Sequence, residues 1–138
     1  MRPALTGGCL CGAVRYTLHG APKVTAICHC THCQRQSGSV LSVNAIVQSE
    51  QIVLQQGKPK VFHDIGDSGK PVLRHFCGDC GSPLFSELGA IPGLFAVKVG
   101  TLDDASSLRP AVEAYTQHAA PWAPAFVPAA QRHSGAPQ

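Results

Sequence analysis

Seven cysteines in 138 residues fall into three tight groups: Cys9 and Cys11 as CxC, Cys28, Cys30 and Cys33 as CxCxxC, and Cys77 and Cys80 as CxxC. A CxxCG turn points both sulfurs at one place, because the glycine lets the backbone curl and face its amides toward the thiolates. Zinc gathers four such donors tetrahedrally at about 2.3 Å, usually from two separate turns. Cys77-Gly78-Asp79-Cys80-Gly81 supplies one turn and Cys9 with Cys11 is the other isolated pair, so four and three is the natural partition. The triplet Cys28, Cys30 and Cys33 leaves one position of a zinc ion unfilled by cysteine, which is what catalytic zinc needs for substrate or water.

Other readings of the triplet stay open at this level. His29, His32 or another side chain would close it into a structural site. Disulfides fit an odd cysteine count poorly, and iron–sulfur ligation fits a four-plus-three partition less naturally than zinc.

Composition bounds what these groups sit in. The length fits one domain, and 44% apolar with 14% charged residues suffices for a small core. Aromatics are only 6%, so such a core gains from a metal staple. Fourteen glycines and eleven prolines argue for short strands and turns over a helical bundle. The formal charge is +3, but no two Lys or Arg residues are adjacent, which excludes a basic nucleic-acid stripe. Seven thiolates around two zinc ions would bring the charge near zero. No run of about 18 apolar residues occurs, so no membrane span is expected. Met1 leads almost directly to Gly7-Gly8-Cys9 with no secretion signal, and a reducing cytoplasmic location is the expectation.

The elements that must position the cysteines read as strands at 10–18, 24–27, 39–47, 51–55, 72–76, 83–88, 94–99 and 111–115, with a possible edge strand at 60–63. Residues 28–39 read as a loop with one helical turn, and 65–71 as a loop. Residues 101–108 suit a short helix with Thr101 as N-cap. From Gln117 onward, half the residues are Ala or Pro, which reads as an irregular tail.

Three stretches together carry a resemblance: Gly7-Gly8-Cys9-Leu10-Cys11-Gly12-Ala13-Val14-Arg15-Tyr16, Cys28-His29-Cys30-Thr31-His32-Cys33-Gln34-Arg35-Gln36-Ser37-Gly38, and Phe76-Cys77-Gly78-Asp79-Cys80-Gly81-Ser82. With a weaker match at Pro121-Trp122, the chain resembles the glutathione-dependent formaldehyde-activating enzyme family, which includes the centromere protein V domain. The resemblance implies a mainly β, zinc-stabilised β-tent of short antiparallel sheets over residues 1–122, followed by a tail over 123–138. It implies a structural zinc on Cys9, Cys11, Cys77 and Cys80 and a second zinc on Cys28, Cys30 and Cys33. Its chemistry is that of a carbon–sulfur lyase acting on S-hydroxymethylglutathione, the adduct of glutathione thiol and formaldehyde.

The expected partner is a small thiol or thiol adduct such as glutathione, with no nucleic acid and no membrane. An open zinc position would bind the thiol and lower its pKa. Arg35 suits a two-pronged contact with a glutathione carboxylate, and Gln34, Ser37 and Gly38 offer hydrogen bonds beside it. His29 and His32 offer acid–base chemistry or a loop role, and Trp122 a pocket wall or packing. Two other classes compete with the enzyme: a non-catalytic zinc-stabilised glutathione carrier or protein-binding module, and a redox or metal-buffer protein using the CxCxxC thiols.

Overall fold

Two β-sheets share the apolar residues between them. The computed structural model describes residues 4–137. Strands β1 (Leu5–Gly8), β2 (Arg15–Leu18) and β5 (Ile52–Gln56) form an antiparallel sheet in the order β1-β2-β5. The larger sheet comprises β3 (Val24–Cys28), β4 (Ser42–Gln48), β6 (Lys60–Ile65), β7 (Pro71–Phe76), β8 (Pro83–Leu88), β9 (Leu94–Lys98) and β10 (Val112–Ala114). Its order is β10-β3-β4-β9-β8-β7-β6. The mainly β expectation holds, but the sheets are not wholly antiparallel. β10 runs parallel to β3, with Ala114 opposite Cys28.

Opposite residues of antiparallel strands share a face, and the register therefore gives the seven-stranded sheet two unlike faces. Ala45, Val47, Val97 and Phe85 point toward the small sheet and pack with Val14, Tyr16, Leu18, Leu84 and Leu102 in the core. The other face carries Cys28 opposite Ser42, Asn44 opposite Lys98, and Ser86 opposite Arg74. Those five polar partners are buried too, so the sheet has apolar residues on one side and a covered polar stripe on the other.

Several elements differ from the sequence expectations, each for a local reason. The strand expected over 10–18 exists only from Arg15, because Cys9 accepts from Gly12 and donates its N–H to Val14, which closes the preceding residues into a turn. β1 was not expected, since paired glycines are poor strand formers. They are required by close approach: a Cβ on Gly8 would lie 2.3 Å from the Val14 carbonyl oxygen. Residues 28–39 contain a two-turn helix, α1 (Thr31–Ser37), capped by the Cys30 sulfur accepting from the Cys33 N–H at 3.2 Å. Lys60–Ile65 is indeed an edge strand.

The helix expected over 101–108 does not form. A 3₁₀ turn occupies Val99–Thr101, and Leu102 then bridges to Gly7 while Asp103 turns its carboxylate onto Arg15 and Thr6. Of the acidic residues read as a helix first turn, Asp103 serves as a clamp between the chain leaving β9 and the small sheet, while Asp104 accepts from the Ser106 N–H. Beyond Gln117, the C-terminal segment docks on β10: Val127 is buried, the Tyr115 N–H donates to Gly135 and the His133 N–H to Glu113. No helix among the described residues is long and apolar enough to cross a membrane.

The Asp103 clamp has a pH signature. The Arg15 guanidinium, with Thr6 beside it, holds this carboxyl down at about 2. A carboxyl lowered on folding contributes stability that is complete above its ordinary pKa of about 4 and lost as pH falls toward 2. Asp103→Asn is expected to lower the thermal midpoint at pH 7 and to flatten its dependence across that acid window, read by circular dichroism melts. An unchanged midpoint at pH 7 would rule out the clamp.

Candidate functional site

All seven cysteines are free thiols, and their sulfurs gather into two groups, each with every ligand atom within 4.8 Å of the others. The first joins Cys9 and Cys11, from the β1–β2 turn, to Cys77 and Cys80, from the β7–β8 turn. Its Cys9–Cys11 and Cys11–Cys77 sulfur distances are 3.6 and 3.8 Å. A tetrahedron with bonds of about 2.3 Å has edges of about 3.8 Å, so these separations fit a metal that takes four thiolates. Both turns aim amides at sulfur: Val14 N–H donates to Cys9 at 3.2 Å and Asp79 N–H to Cys77 at 3.4 Å. Gly81, with φ near +80°, closes the second turn by donating to the Cys77 carbonyl. Hydrogen bonds from the Ser82 hydroxyl and backbone bring Cys80 down to about 5. Ser82 also accepts from the Leu10 N–H at 3.0 Å and so ties one turn to the other.

The second group is Cys28, at the end of β3, with Cys30 and Cys33 from the N-terminal end of α1. Cys33 is the buried member of the three. Cys28 and Cys30 donate to it, and the Lys98 ammonium and the Ser42 hydroxyl add to the effect, so its thiol is lowered strongly. Cys28 is correspondingly raised by the sulfurs of Cys30 and Cys33. Arg74 approaches from β7. Its Nε donates to Asp64 at 2.9 Å, and Asp64 also meets His32 Nδ1 at 2.8 Å, which links α1 to β6 and β7.

The remaining residues singled out in the sequence divide around α1. Cys33 faces inward, while Thr31, Gln34, Arg35 and Gly38, at positions i, i+3, i+4 and i+7, share another face. They line an open cleft of about 540 Å³ with Ser39, Val40 and Trp122, which is 74% exposed. Gln34 is already engaged: its Nε2 donates to the carbonyls of His29 and His118 at 2.8 and 3.0 Å. Ser37 is not in the cleft lining, and its hydroxyl accepts from the Ser39 N–H at the helix end.

His29 is not on a rim. It is fully buried, with Nε2 2.8 Å from the equally buried Glu113, whose other oxygen accepts from the N–H groups of Phe126 and Val127 and from Arg132 Nε. Burial alone would raise the Glu113 carboxyl, but these hydrogen bonds, led by His29, outweigh it and hold the group below the usual range.

Sequence reasoning missed Ser42, Asn44, Arg74, Ser86 and Lys98, the stripe beneath the second cluster. The available signal was a lone cation inside an otherwise apolar strand, as in LFAVK, since a charge in a buried strand needs a reason. It also missed Tyr115, the only non-glycine described residue with left-handed backbone, at φ 56. Its phenol is raised by burial and by Asp67.

Comparison with known proteins follows the same lines. Residues 4–118 match the family described as glutathione-dependent formaldehyde-activating enzyme, and the chain belongs to that family. A crystal structure of a Rhodobacter sphaeroides protein is similar at 21% identity and a TM-score of 0.56, covering 71% of this chain and 87% of that one, which is a likeness of fold. No curated protein matches the chain.

Glu113→Ala would strand a buried imidazole, two amides and Arg132 at once. Breaking such a buried charged network costs about 3–5 kcal/mol, and that loss is the expected drop in unfolding free energy by urea titration. Since the carboxyl is lowered on folding, the wild-type contribution fades as pH falls through the acid range, and the gap between the two proteins narrows there. A gap that is constant with pH would argue against an ionised Glu113.

Proposed function

We propose, with that family membership as premise, that the chain is a zinc-dependent carbon–sulfur lyase-type enzyme. It forms or cleaves the adduct of glutathione and formaldehyde, or of a related small thiol, at Cys28, Cys30 and Cys33. The observation that carries this reading is the three-sulfur cluster set over buried Lys98 and Arg74, apart from a four-sulfur cluster that is complete in itself. Four thiolates saturate a tetrahedral ion and suit a structural role for Cys9, Cys11, Cys77 and Cys80, whereas three leave a place for an exogenous ligand. Zinc bound there would supply a position at which a thiol is held as its nucleophilic thiolate.

The chain's own residues do the rest. Cys30 caps α1 through its sulfur and so sets the relative placement of Cys30 and Cys33. The Asp64 bridge between His32 and Arg74 holds the helix against the sheet. Arg35, on the cleft face of α1 one turn from the cysteine loop, would pair a glutathione carboxylate, with Trp122 as an apolar wall of the same cleft. Gln34 keeps the helix tied to His29 and His118 beside the cleft that the tripeptide would occupy, and Ser37, outside the cleft, closes the far end of the helix.

Metal content per chain, measured by mass spectrometry on anaerobically purified protein, tests the reading. Two zinc ions are expected in the wild type and one in a still-folded Cys28, Cys30, Cys33 triple Ser variant. Consumption of formaldehyde with glutathione is expected in the wild type and not in Cys30→Ser. Arg35→Ala is expected to raise the KM for glutathione at least tenfold with little change in kcat, since a charge-assisted contact contributes about 1.5–3 kcal/mol. One zinc in both proteins would overturn the two-site reading, and glutathione binding without turnover would make the chain a carrier.

A further inference from the structure

The stripe beneath the second cluster contains more polar chemistry than its internal bonds use. Lys98 is 7% exposed, yet no ion pair among the described residues includes it. Buried lysines ordinarily have a carboxylate partner. The negative groups around this one are the sulfurs of Cys33, Cys28 and Cys30. Directly across the strand pair is Asn44, whose Nδ2 donates to Ser42 at 3.0 Å while its Oδ1 is buried with no partner. Farther along the same face, Ser86 is 3% exposed and its hydroxyl is also buried and unpartnered. Arg74, opposite Ser86, differs from Lys98 in that Asp64 already balances it. A buried cation whose anionic neighbours are sulfurs alone, with two orphaned polar atoms on the same face under half-buried Cys28 and Cys30, has unmet capacity for a polar group from outside the chain.

We propose that this stripe is the oxygen subsite of the reaction: Lys98, with the Ser86 hydroxyl farther along the face, receives the oxygen on the carbon that bonds to the substrate sulfur, and Asn44 Oδ1 accepts from the hydroxyl of the finished adduct. The inference rests on the thiol-adduct reading above. In adduct formation the thiolate sulfur attacks the aldehyde carbon, the carbon–sulfur bond forms, and the carbonyl π pair moves onto oxygen. The negative charge thereby passes from sulfur to oxygen, and a proton from water completes the hydroxyl. Cleavage runs the same electrons backward and returns the charge to sulfur. With sulfur at the cysteine cluster and oxygen at the stripe, the charge moves toward a fixed ammonium, the arrangement that stabilises a transition state most because it needs no reorganisation. The substrates this selects are thiol adducts with oxygen on the sulfur-bearing carbon, and plain thioethers are excluded from the interaction.

Two small thiols separate the subsite from the thiol site. Mercaptoacetate carries anionic oxygens on the carbon next to its sulfur-bearing carbon, one bond beyond the adduct's own oxygen and within the Lys98 side chain's range of motion, and ethanethiol carries none. Calorimetric titration of the full chain, with metal content measured in each sample, is expected to show mercaptoacetate binding at least tenfold tighter than ethanethiol, the range of a hydrogen bond to a charged group. Lys98→Met is expected to weaken mercaptoacetate about fivefold more than ethanethiol, which reduces that preference to about twofold or less, compared in samples of matched metal content. Ser86→Ala, which removes a hydroxyl with no partner inside the protein and so tests the stripe without loss of an internal bond, is expected to reduce the preference a few-fold. A preference that survives both substitutions overturns the subsite. Equal weakening of both thiols in Lys98→Met also overturns it, and makes Lys98 a counter-charge to sulfur alone. If the wild type binds neither thiol, the thiol-adduct reading fails, and the subsite with it.

Discussion

The structure depends on the convergence of two sulfur-bearing turns, one on each sheet. Cys9 and Cys11 come from the hairpin of the small sheet, and Cys77 and Cys80 from the β7–β8 hairpin of the large one. The aromatic supply of this chain is thin, and the core between the sheets is built largely from Val, Leu and Ala with Tyr16 and Phe85 as its large rings. A core of that kind gains most from a crosslink that holds its two layers together at one edge. The amide-to-sulfur bonds at Cys9 and Cys77, and the Ser82 bridge to Leu10, preset both turns for a shared ion, so the ligand geometry and the sheet packing support each other. The Asp103 clamp makes a second connection, since Thr6 and Arg15 belong to the small sheet and Asp103 follows the last strands of the large sheet's meander.

With its layers joined on one side, the large sheet carries buried polar residues on its other face. Strand alternation alone produces this division: Ala45 and Val47 point to the core while Ser42 and Asn44, at the even positions that precede them in β4, point away. The polar residues would be costly if they faced another apolar layer. They face instead the Cys28–Ser37 segment, whose sulfurs and helix cover them. Lys98 and Arg74 differ in an instructive way. Arg74 is balanced by Asp64 and, through His32, pins the helix, whereas Lys98 has only sulfur for an anionic neighbour.

On the far side of the cysteine loop, the buried His29–Glu113 pair does positional work. Its partners come from β3, β10 and the C-terminal segment, which converge on one carboxylate. The parallel pairing of β10 with β3 follows, because the chain must cross over after β9 to bring Glu113 alongside Ile27 and reach His29. Tyr115, in left-handed backbone immediately after this strand, marks where the chain turns from the sheet toward the cluster.

The cysteine groups, the mainly β character and most strand positions were legible in the sequence, because they rest on local rules: ligand spacing, alternation and glycine turns. The misses share a physical cause. Leu5–Gly8 became a strand because Gly8 must pass against Val14, a tertiary fact that propensity does not contain. The acidic residues after Thr101 look like a helix start until Arg15 and Thr6, far away in the chain, take Asp103. Gln34 and His29 had the chemistry of site residues, and only their partners, backbone carbonyls and a buried carboxylate, show how each is engaged. Ligand spacing in the sequence thus sufficed to show which sulfurs can hold a metal ion. Tertiary structure set which cations and orphaned polar atoms share a face with them, because cross-strand register brings Lys98 opposite Asn44 and puts Ser86 farther along the same face, and no local pattern encodes that register.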